Sequence, residues 1–420
     1  METSQSVNFN ILIFSDVDFP EGMAATAHIT LMAKGIIKNS VNAMLLIPSS
    51  SFNGDTEKYD INEGIHEEIP YKFFNKHGIV NNKFTFNSYR NVKDIAKYIK
   101  KRKRNGFNDV VITYCNDFLK YHPIFITCYS HKIPFFPWEV EKRISSSEAK
   151  SFRSKLQMLG FRLSDIILPK ISTGFIVIST YLKQYYSNKM PQDKICVSPI
   201  LVNSDDSLSV QLQENNKIKQ FIDSNKNKFN LIVYSGSFGE KDGFPYILDA
   251  FKKLLFHHPK SILVTTGKPS KYNPIENILK IVNELGIIDN FKYLGLVNRN
   301  ELKFINQNAD LLLVCRSNSE FANHGFPWKL GEYLMTKNPI IATKVGDIEN
   351  YLQDNKEIFL AEPENAESIA NKMINVFDDY DKAKQIANNG YLKALKVFDY
   401  VNESKKLIEF IKTNLKTNLK

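Results

Sequence analysis

Short apolar runs alternate with amphipathic segments along most of this chain, and this alternation restricts the fold more than any other feature. Runs of strand length include Asn10–Ser15, Ala43–Pro48 and Leu311–Val314, whereas Ala24–Ile37 and Pro245–Leu255 have helical spacing of apolar residues. Strands that alternate with helices form βαβ units around a parallel sheet. Helices cover both faces of such a sheet, so its strands are apolar throughout. The sequence therefore predicts an α/β protein.

A polar stretch, Asn203–Asn230, divides this pattern into two halves and is predicted to be a linker with room for one short helix. We expect doubly wound domains at 1–203 and 204–390, a helical tail at 391–420, and a ligand in a cleft at the carboxyl ends of the strands. Further strands are predicted at Val110–Tyr114, Ile124–Cys128, Ile133–Pro137, Gly174–Ile178, Leu231–Tyr234, Ile262–Thr265, Phe291–Leu294 and Ile340–Thr343, and helices at Ile275–Leu285, Glu301–Asn306 and Lys329–Met335.

Composition excludes several classes of protein. The 420 residues are 43% hydrophobic and 12% aromatic, which is enough to bury cores and argues against disorder. The four cysteines are too few for a disulfide scaffold and too scattered for a metal site, as expected of reduced thiols in a cytosolic protein. No apolar run reaches the length of a membrane span, and the N-terminus does not resemble a signal peptide. A net charge of +10 favours an anionic partner.

The segment Phe321–Asp347 is the strongest candidate for a functional site. Pro327 favours a helix start because its missing N–H would have no partner there. The free amides of such a helix end bind phosphate, and Lys329 in the first turn could pair with that phosphate. Glu332, three residues on, could accept hydrogen bonds from the hydroxyls of a ribose. The alternative is a solvated Lys–Glu pair on a helix surface.

The block GFPWKLGEYL, followed by PIIATKVGDIENYL, resembles the donor-binding signature of the GT-B fold glycosyltransferases, in the family 4 group of retaining enzymes (glycosyl transferases group 1). The resemblance covers most of the chain. Tyr234–Phe251 is similar to the first strand, glycine turn and helix of the family's C-terminal domain, and Pro20–Gly35 to the glycine loop and helix of its N-terminal domain. Weaker similarities lie at Thr265–Gly267, Tyr293–Val297, Phe175–Tyr181 and Lys194–Asn203.

This resemblance implies two Rossmann-like domains facing a cleft, with the acceptor on the first, a nucleotide sugar on the second and the tail packed back on the first. It implies transfer of a sugar from a nucleoside diphosphate, UDP- or GDP-linked, to an acceptor hydroxyl with retention and without a metal or other cofactor. Helix dipoles and cations would stabilise the departing diphosphate. Asp16-Val17-Asp18 has the spacing of a metal motif but is interpreted as a strand-end loop.

At several motif positions this sequence differs from the family that it resembles. Glu332 matches the second glutamate of the E-x7-E motif, but His324 stands at the first, where it could contact the donor sugar or be an ordinary loop histidine. Ser237 and Asp242 stand where the family usually has an Arg and a Lys. Lys241 could reach the phosphates or be an exposed loop lysine. The remaining donor-binding candidates are Gly22, Gly236, Gly267, Val297, Gly325, Phe326 and Pro327, with Lys329 counted as both a donor-binding and a catalytic residue.

In the first half, Glu139 follows the apolar run Ile133–Trp138, and Glu141 would share its face of an extended segment. Glu139 is predicted to orient sugar or acceptor hydroxyls as a catalytic residue, the alternative being a surface glutamate. Gly22 lies in the loop after the first strand, where glycine permits close approach to a ligand or simply makes a turn. His122 and His131 are interpreted as structural.

The basic surplus is concentrated in Lys100–Arg104 and in the Lys-rich tail. Such runs are usually solvated, but contact with anionic lipid or a pyrophosphate-linked acceptor is the more specific interpretation. No motif supports nucleic-acid binding. We therefore expect a cytoplasmic glycosyltransferase at the inner face of the membrane, acting on a carbohydrate or lipid-linked acceptor in bacterial surface polysaccharide or glycolipid synthesis. A sugar-nucleotide epimerase or hydrolase on the same fold, and a non-catalytic nucleotide-sugar or lipid-binding protein, remain open.

Overall fold

The structure is a computed structural model, which describes residues 9–20, 22, 24–48, 63–74, 86–141, 151–205, 210–239, 242–269 and 273–417. The chain forms two compact units. Unit 1 consists of Met1–Asn203 with Phe398–Lys420, and unit 2 of Ser204–Val397. None of the helices in the described ranges combines the length and the hydropathy that a bilayer span needs.

The elements follow the alternation that the sequence predicts. The strands are β1 (Asn10–Phe14), β2 (Ala43–Ile47), β3 (Glu63–His66), β4 (Ile69–Phe73), β5 (Asp109–Thr113), β6 (Phe135–Glu139), β7 (Phe175–Val177), β8 (Ile195–Val197), β9 (Asn230–Ser235), β10 (Ser261–Thr266), β11 (Phe291–Tyr293), β12 (Leu311–Val314), β13 (Ile340–Thr343) and β14 (Phe359–Ala361). The helices are α1 (Ala24–Lys38), α2 (Phe86–Arg104), α3 (Phe118–Ser130), α4 (Phe152–Ile171), α5 (Thr180–Ser187), α6 (Lys217–Asn225), α7 (Phe244–His257), α8 (Ile275–Glu284), α9 (Arg299–Gln307), α10 (Glu320–His324), α11 (Trp328–Leu334), α12 (Ile348–Tyr351), α13 (Ala366–Asp378), α14 (Tyr380–Val397) and α15 (Tyr400–Thr417).

Each unit is built on one sheet. Unit 1 has the strand order β3-β4-β2-β1-β5-β6-β7-β8, in which only the β3–β4 pair is antiparallel. Unit 2 has the all-parallel order β11-β10-β9-β12-β13-β14. This second order is the Rossmann arrangement, which starts at a central strand and winds outward in both directions. The α/β prediction with two doubly wound sheets is thus confirmed.

Buried, non-alternating strands make up the centres of both sheets. In β5 every residue is buried, and β12 is likewise buried along its whole length. Helices on both faces exclude water from such strands, which is the physical reason for their continuous apolar sequences. Side-chain caps fix several helix starts, such as Asn298 of the α9 capping box, whose Oδ1 accepts from the Glu301 N–H at 2.9 Å.

The end of the chain returns to unit 1. Phe398 and Tyr400 form a backbone bridge with Val202, and α15 then packs on α1. A Cβ at Gly35 would lie 2.3 Å from the Tyr400 carbonyl oxygen, so glycine permits this close helix contact. The helical tail predicted at 391–420 is interrupted at this bridge, because the residues between α14 and α15 pair with the backbone of Val202.

One predicted strand is also wrong. Ile124–Cys128 lies inside helix α3, where Tyr121, Ile124, Phe125 and Cys128 are buried at helical spacing. The Asp117 side chain caps this helix by accepting from the Lys120 N–H at 3.3 Å. A short apolar run fits either a strand or a helix. Here the Asp117 cap and the helical spacing of the buried residues from Tyr121 to Cys128 favour the helix.

Candidate functional site

The order of the strands in unit 2 reverses between β9 and β12, and the loops that follow these two strands meet at that point. In open α/β sheets the crevice outside the carboxyl ends of the strands, at such a reversal, is where ligands bind. Gly236 and Ser237 directly follow β9, and the segment His324–Glu332 comes after β12. The structure therefore brings most of the donor-binding candidates to one edge of one sheet.

Lys329 is the best-positioned cation at this edge. Helix α11 carries its ammonium group to the end of β9, where Nζ donates to the Ser235 carbonyl oxygen at 2.5 Å. Nζ also lies 5.1 Å from the centre of the Tyr234 ring. A Cβ on Gly236 would come within 3.2 Å of Nζ and 2.3 Å of the Tyr234 hydroxyl, so glycine keeps the backbone accessible beside the cation. This arrangement suits an anionic group.

Glu332 lies one turn further along α11 and keeps an exposed surface. Its Oε1 accepts a hydrogen bond from Trp328 Nε1 at 3.3 Å. Desolvation by the surrounding protein raises the pKa of its carboxyl, and the charge of Arg299, the Trp328 hydrogen bond and the charge of Lys329 oppose this shift. Since the residue is still open to water, the desolvation is partial. A carboxylate oriented in this way can accept hydrogen bonds from a ligand's hydroxyls.

Ser237 and Asp242 bind each other. The Asp242 Oδ2 accepts from the Ser237 hydroxyl at 2.5 Å and from the Ser237 N–H at 3.3 Å. The two positions at which the resembled family carries cations are thus occupied by a hydrogen-bonded neutral–acidic pair that closes the loop after β9. Lys241, the candidate between them in this loop, lies outside the described residues.

Three glycine-containing strand ends lie side by side next to this loop. The Gly267 N–H donates to the Gly295 carbonyl at 3.1 Å, and a Cβ on Gly267 would lie 2.0 Å from the Gly236 carbonyl oxygen. Gly267 also has φ = 130°, a conformation that side chains rarely adopt. Val297, two residues after Gly295, is half-buried and immediately precedes the cap of α9. These contacts bring Gly236, Gly267 and Val297 to neighbouring strand ends.

The remaining candidates of unit 2 lie at the end of α10 and in the loop that joins α10 to α11. His324 is 1% exposed, and its Nε2 lies 3.6 Å from Oε1 of Glu320. Gly325 contacts the turn after β13, where a Cβ on Gly346 would lie 2.8 Å from the Gly325 carbonyl oxygen. The Phe326 ring packs at 5.5 Å from that of Tyr351. Pro327 is the N-cap of α11, one residue before the first helical position, which Trp328 occupies.

In unit 1, Gly22 and Glu139 also lie at the carboxyl edge of their sheet. Gly22 follows β1, and a Cβ there would come within 2.1 Å of Thr26 Oγ1 and 2.6 Å of the Asp18 carbonyl. Glu139 is the last residue of β6, which begins two residues later than predicted, and it is half-buried. Its charge raises the pKa of the buried Tyr186 after the larger effect of desolvation. Strand β5 separates the two candidates.

Asp16, in the Asp-Val-Asp segment, has protein partners. It accepts a hydrogen bond from the Tyr121 hydroxyl at 2.6 Å, and Lys120 Nζ lies 3.8 Å away. Across the residues that the structure describes, no three His, Cys, Asp or Glu side chains converge as metal ligands would.

Sequence reasoning missed Arg316, two residues after β12 at the reversal of strand order. Its Nη1 donates to the Ala322 carbonyl at 3.2 Å in α10. Its backbone lies against Gly243 of the loop after β9, where a Cβ would meet the Cys315 carbonyl at 2.4 Å. The sequence does contain a signal for this residue, because Arg316 is a cation directly after a run of strand length. The Trp328 contact with Glu332 was missed as well, although their spacing of four residues in a helix predicts it.

Comparison with known proteins agrees with this geometry. Residues 215–393 match the family described as glycosyl transferases group 1. Two uncharacterized glycosyltransferases of Methanocaldococcus jannaschii are 27% and 22% identical over 205 and 182 residues, which are 47% and 43% of this chain. These matches span only about half of the curated relatives, 52% and 44% of their lengths.

Solved structures are similar over nearly the whole chain. Anabaena HepE in complex with UDP and glucose has a TM-score of 0.72 at 15% identity, covering 97% of this chain and 100% of that one. Sucrose-phosphate synthase from Thermosynechococcus elongatus has a TM-score of 0.69 at 12% identity, covering 98% and 100%. At these identities the likeness defines the fold. The chain therefore has the GT-B fold, and residues 215–393, which lie in unit 2, are similar to the glycosyl transferases group 1 family.

Proposed function

We propose that this protein transfers a sugar from a nucleoside-diphosphate sugar to an acceptor hydroxyl with retention of the anomeric configuration. The observation that carries the proposal is the position of Lys329, whose ammonium lies beside Gly236 at the strand-order reversal of unit 2. This position falls within the segment that matches the glycosyltransferase family. A fixed cation next to accessible backbone is what a departing diphosphate requires.

The proposed chemistry follows from where charge develops. When the sugar–phosphate bond breaks, negative charge builds up on the leaving diphosphate, so groups already oriented toward it stabilise the transition state more than the ground state. Lys329 and the amides near Gly236, Gly325 and Phe326 would have this role. These groups act without a resident metal in the proposed mechanism.

The nucleoside would extend from the diphosphate along the same edge. Glu332 would accept from the ribose hydroxyls, with Trp328 holding its carboxylate, and the base would lie near Val297. His324 and Glu139 are proposed to orient hydroxyls of the sugar and the acceptor. HepE is described with UDP and glucose and with UDP-glucose, which supports UDP-linked donors as the first to test, with GDP-linked donors second. Synthesis of surface polysaccharide or glycolipid in the cytoplasm is the proposed setting.

Calorimetric titration with UDP-glucose and GDP-mannose tests the donor site. We expect saturable binding of one of them, weakened at least about tenfold by Lys329→Ala through loss of a charge-assisted contact and by a smaller factor in Glu332→Ala. Lys280→Ala is the matched control, because Lys280 is 77% exposed on α8. Absence of saturable binding, or binding that both site variants leave unchanged, would contradict the donor-site assignment.

Retention and metal independence have separate readouts. Proton NMR of the product gives the anomeric coupling, and we expect the configuration of the donor. Turnover is expected to persist in EDTA. An inverted product, or activity lost in EDTA and restored by a divalent cation, would overturn these parts of the proposal without affecting the donor site.

A non-catalytic nucleotide-sugar-binding protein is the second candidate function. The Ser237–Asp242 pair favours this candidate, because an acidic pair stands where the resembled family has phosphate-binding cations. Saturable binding without turnover across a library of acceptors would support this candidate. Product analysis without acceptor separates the third alternative, since an epimerase or hydrolase converts the donor alone, whereas a transferase turns over slowly.

A further inference from the structure

We propose that helix α4 of unit 1 docks the protein on an anionic lipid bilayer. This surface lies outside the candidate nucleotide site, so the proposal goes beyond the sugar-transfer function and does not depend on it. Three observations carry it: an exposed apolar stripe, the extension of half of that stripe beyond the start of the neighbouring helix α3, and the sign of the described charges that border it.

The stripe consists of Phe152, Leu156, Leu159 and Ile166, whose exposed fractions are 83%, 48%, 48% and 57%. Their spacing of four, three and seven residues puts them on one face of the helix. Contiguous exposed apolar surface of this kind marks an interaction site more often than scattered single residues do. On the adjacent helix α3, Ile126 and Tyr129 are also exposed, by 51% and 61%.

The first half of α4 has no α3 beside it. The cap of α3, Asp117, lies against Gly160, where a Cβ would come within 2.0 Å of its Oδ1, and the Phe118 N–H donates to the Ser164 hydroxyl at 2.8 Å. Helix α3 therefore starts at the level of Gly160. The eight residues of α4 before it extend about 12 Å past the start of α3, on the side of the sheet's carboxyl edge. The most exposed apolar side chain, Phe152, is at the tip of this projection.

Among the described residues of α4, the exposed charges that border the stripe are positive. Lys155 and Arg162 each follow a stripe residue by three positions and so border it, and Lys170 lies at the far end; all three are exposed. The helix has one carboxylate, Asp165, which accepts from the hydroxyls of Tyr185 and Tyr186 at 3.0 and 2.8 Å.

This charge pattern selects the partner. Two copies of the stripe facing each other would place cations opposite cations, which opposes self-association. An anionic bilayer complements both features, because it attracts the cations and takes the apolar side chains into the boundary between head groups and acyl chains.

The two basic segments that the sequence analysis singled out lack the apolar component. In α2, Arg102 is engaged with Asp109 through contacts of 2.7 and 2.8 Å, and the apolar residues Val92, Ile95 and Ile99 of that helix are buried. Helix α15 packs on α1. Cations without an insertable face give weaker, salt-sensitive attraction. We therefore assign docking to α4, with Lys100–Arg104 as a supplementary source of attraction.

Vesicle sedimentation with the full chain tests the proposal. The probes are phosphatidylcholine vesicles with and without phosphatidylglycerol. We expect binding only to the anionic vesicles, weakened about tenfold by each of Phe152→Gln, Leu156→Gln and Leu159→Gln, because each removes apolar area that would leave water. Phe256→Gln is the matched control, because Phe256 is 80% exposed on α7 of unit 2, and it should change binding less than about twofold.

A second pair of variants separates α4 from α2. Lys155→Gln with Arg162→Gln should weaken binding more than Lys101→Gln with Lys103→Gln. If the α2 pair abolishes binding and the stripe variants retain it, the assignment to α4 is overturned. It is also overturned if the wild type binds neutral vesicles equally well, or if the wild type forms a dimer without lipid that the stripe variants convert to monomer.

Discussion

The two sheets are wound in the same order, but the side chains at their carboxyl edges differ in charge. In unit 2 the ammonium of Lys329 and the carboxylate of Glu332 lie at the edge, within reach of a ligand. In unit 1 the corresponding region is closed by aromatic packing around His28, whose ring centre lies 4.5 Å from that of Trp138 and whose Nδ1 lies 3.3 Å from the Tyr114 hydroxyl. Burial lowers the pKa of His28 to about 3, so the histidine is neutral at pH 7.

This difference indicates that a doubly wound sheet provides the place for a ligand and that the side chains decide its kind. The cation at the edge of unit 2 suits a diphosphate, whereas the carboxylate of Glu139 at the edge of unit 1 suits an uncharged hydroxyl-bearing group. The comparison supports the proposed division of roles between the units, and three further predictions test it.

The largest effect is expected from glycine substitution at the two edges. In unit 2, Gly267→Ala would push a Cβ into the Gly236 backbone from a φ of 130°, so it should destabilise unit 2 by about 3 kcal/mol and abolish nucleotide binding. In unit 1, Gly22→Ala would place a Cβ against the Thr26 side chain and the Asp18 backbone carbonyl, but not from a positive φ, and should cost about 2 kcal/mol. Urea denaturation with hydrogen-exchange mass spectrometry assigns each loss to its unit. Equal costs would show that the two glycine loops are equivalent.

The next effect is the pH dependence of unit 1. His28 binds its proton in the unfolded chain near pH 6.5 but in the folded chain only near pH 3. The contribution of His28 to the free energy of unfolding is therefore complete above pH 6.5. It is lost as the pH falls from there toward 3, with a slope of up to about 1.4 kcal/mol per pH unit. Trp138 becomes the only tryptophan in a Trp328→Phe background and reports on unit 1. The additional variant His28→Gln should lack this part of the slope; an identical slope in both proteins would show that His28 is not buried as neutral imidazole.

The smallest effect concerns the acid in the phosphate loop of unit 2. Asp242→Asn removes a negative charge while keeping an oxygen that can accept from Ser237, so nucleoside-diphosphate affinity should rise about fivefold. Asp249→Asn, on the following helix, is the control and should leave affinity unchanged. Weaker binding in the Asp242 variant would mean that the Ser237–Asp242 bond orders the loop more than its charge repels the ligand.

Much of this organisation follows from local sequence. The apolar runs define the central strands to within one or two residues, because a strand covered on both faces must be apolar along its length. The segment Asn203–Asn230 indicates a linker with a short helix, and the structure has α6 there. The same reasoning fails at Ile124–Cys128, because a five-residue apolar run fits either a strand or one buried helix face.

Those residues of the candidate site that come soon after a strand could be predicted from the sequence. Lys329 and Glu332 could be named because they stand in the first turns of a helix after a buried strand. Arg316 could have been named on the same ground, although its contact with α10 depends on the fold of the loop. The Ser237–Asp242 bond was not predictable, since a departure from a family pattern does not reveal whether the two replacing residues interact.

The sequence by itself determined two α/β halves, a basic surplus and a helix start in Phe321–Asp347 suited to phosphate, because periodicity and residue chemistry are local properties. Tertiary structure decided which of these features come together. It placed the ammonium of Lys329 on a carbonyl 94 residues away, neutralised His28 by burial, and left one face of α4 exposed because α3 starts two turns further along. Each outcome depends on distances between segments remote in the chain, which no local pattern specifies.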